Sequence, residues 1–163
     1  MIKPNTLIIG GTSTFGKTIA HELLLAGHNL FLTFFRQEKE SCLLELIKLS
    51  KSKKSTLITA QLDITNESQV KKIIGSSQIK FNNLVYTVGV STEFRTINKD
   101  DWNNFEIQFA VQIKGLWLTI TKLIEEDHPL KSVLVIGSAC LFNVPPARLF
   151  SYTVGKYGQF GLV

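Results

Sequence analysis

Cysteine is scarce in this chain: two residues in 163, Cys42 and Cys140. They lie far apart with no C-x-x-C, which argues against a disulfide framework or a zinc site and suits a reducing compartment. Histidine is as thin. His21, His28 and His128 share no metal-like spacing, so surface or capping positions account for them better than ligation. No apolar run approaches the length of a membrane span. The opening Met1-Ile-Lys-Pro-Asn5 has no charged-then-apolar leader before the first strand. A cytoplasmic location without membrane contact is the expectation.

Acidic residues are the minority, 13 against 18 Lys and Arg, for a net charge of +5. Much of the excess sits in one run, Lys48-Leu-Ser-Lys-Ser-Lys-Lys54. It has no interleaved aromatics and no binding motif around it, so a solvated helix end explains it better than a nucleic-acid surface. What the chain has in quantity is apolar residues, 44% of the total. Its length is that of one domain with a real core, 1–163.

The rest is organised around Thr6-Leu-Ile-Ile-Gly-Gly-Thr-Ser-Thr-Phe-Gly16-Lys-Thr-Ile-Ala20. Leu7–Ile9 reads as a short buried strand. Gly10 to Thr14 is a run of small residues. From Gly16 the pattern is helical, with Ile19, Leu23 and Leu24 at helix spacing. A strand, a glycine turn and a helix place a helix N-terminus over the end of a parallel sheet. Unpaired N–H groups and the helix dipole favour a phosphate there. Gly10 suits φ > 0, and Gly16 allows close approach. The spacing is neither a P-loop nor G-x-G-x-x-G. An ordinary β–α turn stays open as the other reading.

Further strands are expected at Leu30–Phe35, Thr56–Ala60, Asn83–Val88 and Lys131–Ile136. Helices are expected at Glu38–Lys51, with Leu43, Leu44, Ile47 and Leu49 inward, and at Asn66–Ile74. A long helix follows over Asp100–Glu126, N-capped by Asp100, with Trp102, Phe105, Phe109, Ile113, Trp117 and Ile120 as its apolar stripe. After a loop with Pro145-Pro146, another helix starts at Ser151. Alternating strands and helices predict an α/β fold, a doubly wound parallel sheet with helices on both faces. Ligands in such sheets bind beyond the strands' carboxyl ends. Gly10–Gly16, Arg36, Asp63, Val88-Gly89 and Ser138 lie at those ends, and all are expected to face one crevice. Phe31, Phe34 and Phe35 fit a sheet core better than a base-stacking platform. Cys140 fits a small packing position better than a nucleophile, with no histidine near it in sequence.

Ser151-Tyr152-Thr-Val-Gly-Lys156 carries the second signal. Four residues apart on a helix, Tyr152 and Lys156 share a face, about 5–6 Å apart at Cβ. A neighbouring ammonium favours phenolate, which makes Tyr152 a candidate acid–base group. A surface Tyr–Lys pair is the alternative. Ser138, after the fifth strand, is placed to hydrogen-bond a substrate oxygen.

Taken in order, these segments resemble the short-chain dehydrogenase/reductase family. Ile9-Gly-Gly-Thr-Ser-Thr-Phe-Gly16 is similar to its T-G-x-x-x-G-x-G turn, with Thr14 at the middle glycine. Asp63 in Leu62-Asp-Ile64 resembles the aspartate that meets adenine. Tyr86-Thr-Val-Gly89 lies where the family has N-N-A-G. Val111-Gln-Ile-Lys-Gly115 lies where it has V-N-x-x-G. Ile136-Gly-Ser138, Tyr152 and Lys156 match the catalytic positions. The resemblance implies a Rossmann fold and hydride exchange between a nicotinamide and a carbonyl or alcohol carbon of a small molecule. Ser138, Tyr152, Lys156 and, in the relay position, Gln112 would be catalytic. Gly10, Thr12, Ser13, Thr14, Phe15, Gly16, Asp63, Ile64, Val88, Gly89, Tyr152 and Lys156 would hold the cofactor. It also implies pairing of identical chains through the long central helix and the Tyr152 helix. Arg36 stands where an acid would bind a ribose 2′-hydroxyl, so NADP is expected over NAD; a plain surface arginine is the alternative. Family members continue past the catalytic helix with two more strands, so the fold is expected to lack its last strands and to leave the fifth strand as an open edge. A non-catalytic dinucleotide-binding relative, or an inactive fragment, is the second expectation.

Overall fold

The computed structural model describes residues 3–36, 43–75, 77–91, 94, 96, 102–144 and 147–163. Cys42, the Asp100 cap, Pro145-Pro146 and the expected first turn of the second helix lie outside them. Five strands are described: β1 Asn5–Ile9, β2 Asn29–Phe34, β3 Leu57–Gln61, β4 Asn83–Tyr86 and β5 Ser132–Val135. All pairings are parallel, in the order β3-β2-β1-β4-β5. The strand order reverses between β1 and β4, where Leu7 faces Leu84 in register.

Helices cover both faces because side chains alternate along each strand. Ile8 packs with Ala20, Leu24 and Leu46 against α1 Thr14–Leu25 and α2 Leu44–Ser52. Leu7 and Ile9 pack on the other face with Leu116 and Leu123 of α5 Gly115–Glu125 and Val70 of α3 Glu67–Gly75. Asn66 caps α3 by accepting from the Gln69 N–H at 3.1 Å. The helix over α6 Phe150–Phe160 forms despite two interior glycines. β5 is an edge, and Leu134 is 46% exposed on it.

Three expectations about burial are corrected. Phe35 lies past the end of β2 and is 58% exposed, not part of the sheet core. The long helical stretch is α4 Trp102–Phe109, a π-helical turn Ala110–Lys114 and α5. Half of its expected stripe does not face the core, while Phe105, Ile113 and Ile120 are half-buried. Trp102 is 68% and Trp117 51% exposed, and Phe109 is exposed too. The buried face carries Gln108 and Gln112, then Gly115, Leu116, Leu118, Thr119 and Leu123. At Gly115 itself the neighbours leave no room for a side chain: a Cβ there would meet Tyr86 Oη and Ile64 Cγ1, each at 2.7 Å. In α2, Leu44 is exposed and Leu46 is buried in its place, since Leu43, Leu46 and Ser50 form the inward row.

Candidate functional site

The turn after β1 is fixed from both sides. Gly10 has φ +85°, in the left-handed region. The Ser13 hydroxyl caps α1, accepting from the Gly16 N–H at 2.9 Å. The same hydroxyl donates to Thr87 Oγ1 at 3.1 Å. The single Thr87 hydroxyl hydrogen lies within reach of two carbonyls, Ile9 at 3.0 Å and Gly10 at 2.9 Å. Thr87 thus ties the end of β4 to the turn, at a position where the resembled family has an asparagine. Gly16 is packed too tightly for a side chain: its Cβ would meet Gly10 O at 2.4 Å. Thr14 is exposed as the first residue of α1, so it does not crowd the turn. A helix that begins there offers the N–H groups of Thr14 and Phe15 no intrahelical carbonyl.

A cavity of about 960 Å³ opens over the reversal point, at the upper end of the ~300–1,000 Å³ usual for small-molecule sites. Gly10, Thr12 and Ser13 line it from the turn, and Phe35 and Arg36 from the end of β2. Asp63, Ile64 and Thr65 follow β3, and Val88 and Gly89 follow β4. Glu106, Ile107, Ala110 and Val111 close it from α4 and the π turn. Seven of the residues expected at one crevice therefore meet there: Gly10, Thr12, Ser13, Arg36, Asp63, Val88 and Gly89. The Asp63 carboxylate is oriented by one oxygen, which accepts from the N–H of Thr65 at 2.9 Å and its hydroxyl at 2.7 Å. Open space lies over Gly89, with nothing within 4 Å of an added Cβ.

These features fit a dinucleotide. The free N–H groups and the dipole of α1 suit a pyrophosphate. Arg36 offers a guanidinium at the carboxyl end of β2, and Asp63 an acceptor after β3. Among the described residues, no group of three or more His, Cys, Asp and Glu could hold a metal. No described helix is long and apolar enough to cross a membrane.

Ser138, Gln112, Tyr152 and Lys156 are not among the cavity's lining residues. Ser138 follows β5 and caps a 3₁₀ turn, Ala139–Leu141, through a long contact with the Cys140 N–H. Tyr152 is half-buried on α6, and Lys156 is buried one turn on. Lys156 Nζ lies 6.0 Å from the centroid of the Tyr152 ring. It donates to Ile136 O and to Gln159 Oε1, each at 2.8 Å. Burial holds this ammonium below the usual lysine range. Gln112 is fully buried in the π turn, donates to Gln108 Oε1, and packs on Gly155. Phe15 is exposed outside the cavity.

Sequence reasoning missed Gln159, Glu106 and Thr87 as site-building residues. Gln159 had a signal: it stands in the buried phase of α6, with Ser151, Gly155 and Lys156. Thr87 had one too, as the first polar residue after the strand beside β1.

The family model described as short chain dehydrogenase matches residues 4–163. Among curated proteins, the 3beta-hydroxysteroid dehydrogenase dhs-16 of Caenorhabditis elegans is 33% identical over 103 residues, covering 59% of this chain and 26% of that protein. Among solved structures, levodione reductase superposes with a TM-score of 0.87 at 18% identity, over 98% of this chain and 63% of that one. ElxO with NADP bound gives 0.86 at 23%, over 99% of this chain and 65% of that one. Serine dehydrogenase from Escherichia coli gives 0.80 at 24%, over 97% and 73%. The chain thus spans about a quarter of the curated relative and 63–73% of these structures.

Proposed function

The chain belongs to the short-chain dehydrogenase family, and we propose that it binds NADP, with NAD as the weaker alternative, and works as an oxidoreductase on a small carbonyl or alcohol. The observation that carries this is the cavity over the β1–β4 reversal, with the turn, Arg36 and Asp63 on its walls. The Thr14 and Phe15 N–H groups, with Thr12 and Ser13, take the pyrophosphate. Gly10 and Gly16 shape the turn for it. Arg36 pairs with a 2′-phosphate, bidentately where geometry allows. Asp63 and Ile64 meet the adenine, and Val88 and Gly89 the ribose side.

When bound, the nicotinamide supplies a hydride to the carbonyl carbon. Tyr152 gives its phenolic proton to the carbonyl oxygen and recovers one from solvent. Lys156, its ammonium 6.0 Å from the Tyr152 ring centroid, would supply the positive charge beside that phenol and hold the ribose hydroxyls. Ser138 holds the substrate oxygen. Gln112, buried against Gly155, sets where α6 lies. The same reading puts the protein in the cytoplasm and pairs copies through α4–α5 and α6, whose outer faces expose Trp102, Trp117 and Phe160. ElxO, whose fold the chain shares, was solved with NADP bound, which supports the choice of cofactor.

A second reading, a non-catalytic dinucleotide-binding protein, is favoured by one observation. The Lys156 ammonium is already engaged by Ile136 and Gln159, away from the cavity lining. Comparing wild type with Tyr152→Phe decides. The enzyme reading expects NADPH oxidation with simple ketones in the wild type, its loss in the variant, and nearly equal NADPH affinity in both. Equal turnover in both removes Tyr152 from the mechanism. Binding without turnover in either supports the second reading.

A further inference from the structure

Helix α6 buries a polar row: Ser151, Gly155, Lys156 and Gln159. Lys156 is 4% exposed, and among the described residues no carboxylate pairs with it. An ammonium taken out of water needs acceptors for its three N–H groups. Two are supplied, by Ile136 O and Gln159 Oε1, each at 2.8 Å. The Gln159 amide is oriented by this contact. Its oxygen faces the ammonium, and its Nε2 is left without a partner among the described residues. A buried amide donor left unpaired is costly. The opposite flip would set an NH₂ against an NH₃⁺, so the lysine dictates the orientation.

We propose that Gln159 is a positioning residue: together with the Ile136 carbonyl it anchors the Lys156 ammonium beyond β5 and leaves the third N–H for the site shared with Tyr152. This rests on the reading of Lys156 as a site residue given above. A lysine stem has four rotatable carbons and a compact charge at its end. A single acceptor would let the ammonium pivot; two acceptors from different elements fix it. Ile136 belongs to the segment after β5, and Gln159 lies three residues along α6. Gln159 also favours the charged form, since an ammonium N–H makes a stronger hydrogen bond to its oxygen than a neutral amine N–H does. The titratable groups beside Lys156 are Tyr152 on its own helix and Cys140 on the 3₁₀ turn, which as a thiolate would favour the ammonium. From the π turn, packed on the other side, comes the neutral Gln112; Glu106 and Lys114 are exposed.

The test is a titration of the Lys156 Cε resonance in ¹³C-lysine-labelled full chain, assigned with Lys156→Arg. It is run on wild type, Gln159→Leu and Gln159→Glu, each checked for a cooperative melt. Gln159→Leu is expected to lower the lysine midpoint by about one pH unit. Gln159→Glu, which puts a carboxylate where the amide oxygen was, is expected to raise it. Identical midpoints in the three proteins overturn the proposal. Should Gln159→Leu not fold, Gln159→Glu decides alone: a midpoint no higher than wild type overturns it. NADPH titration of the same samples separates the two readings. Shifted midpoints with no NADPH binding in any sample leave Gln159 as the lysine's anchor and remove the dinucleotide reading.

Discussion

The hydroxyl of Tyr86 donates to the carbonyl of Val111 at 2.5 Å. This one bond joins the last residue of β4 to the π turn that divides the central helix. A π turn shifts hydrogen bonding by a residue and leaves carbonyls that need other donors. Tyr86 supplies one, from a ring that is fully buried. Burial also pushes its phenol far above the usual range, so it acts as a fixed donor and not as an acid. Gly115 makes room for it.

Tyr86→Phe is therefore expected to destabilise the fold by about 1–2 kcal/mol, because a carbonyl loses its partner in a partly buried place. Urea unfolding measures this as a lower midpoint with an unchanged slope. No change in midpoint would mean that water or another donor serves Val111.

Two glycines of the turn and cavity separate folding from binding. In Gly16→Ala the new methyl meets only backbone and a capping hydroxyl at 2.4–2.9 Å. A loss of roughly 1–3 kcal/mol is expected, with NADPH binding impaired as the turn is pushed open. In Gly89→Ala the methyl meets nothing within 4 Å. Its thermal melt is expected to match wild type, so any fall in NADPH affinity reports a ligand lying against that residue.

Arg36→Ala tests cofactor choice. Loss of a charge-assisted contact worth about 1.5–3 kcal/mol corresponds to roughly 10- to 100-fold weaker NADPH binding. NADH, which lacks the 2′-phosphate, is expected to bind the variant and the wild type alike. Equal losses for both cofactors would assign Arg36 to the pyrophosphate or to the fold.

Stability is expected to fall on acidification below about pH 6.5, the ordinary histidine value. His128 is buried, stacked on Phe81, and its Nδ1 accepts from the Phe81 N–H at 2.9 Å. Burial first, then the nearby Lys80, lowers its pKa from 6.5; Glu126 acts in the opposite sense. A depressed histidine binds fewer protons folded than unfolded, so its contribution is complete above pH 6.5 and is lost as pH falls towards the folded pKa. His28, likewise lowered by burial, adds to the same slope. Urea midpoints between pH 8 and 5 measure it, and His128→Gln is expected to flatten it.

The parallel sheet and its reversal point were legible because both arise from local patterns. Runs such as Leu30–Phe34 are apolar on both faces, and Gly10 with Ser13 marks the turn. The central helix was misread for a physical reason. Trp102, Phe109 and Trp117 carry the hydrophobicity, but β4 and α6 approach the opposite face. There Gln108, Gln112 and Gly115 are buried around the π turn, and Leu116, Leu118 and Leu123 supply the apolar contacts. The π turn adds one residue between the rows, which a 3.6-residue period cannot register. The Lys156–Gln159 contact was hidden because a glutamine in a helix looks like surface until α6 is docked. The cavity residues contributed by α4, such as Glu106, depend on packing between elements distant in sequence.

The most direct measurement is a fluorescence titration of the protein with NADPH, repeated with Gly16→Ala. The account predicts a saturable change in nicotinamide emission, tighter than for NADH, that is lost in the variant. An unchanged spectrum at saturating protein, or equal binding by Gly16→Ala, would contradict it, since the turn between β1 and α1 would then hold no dinucleotide.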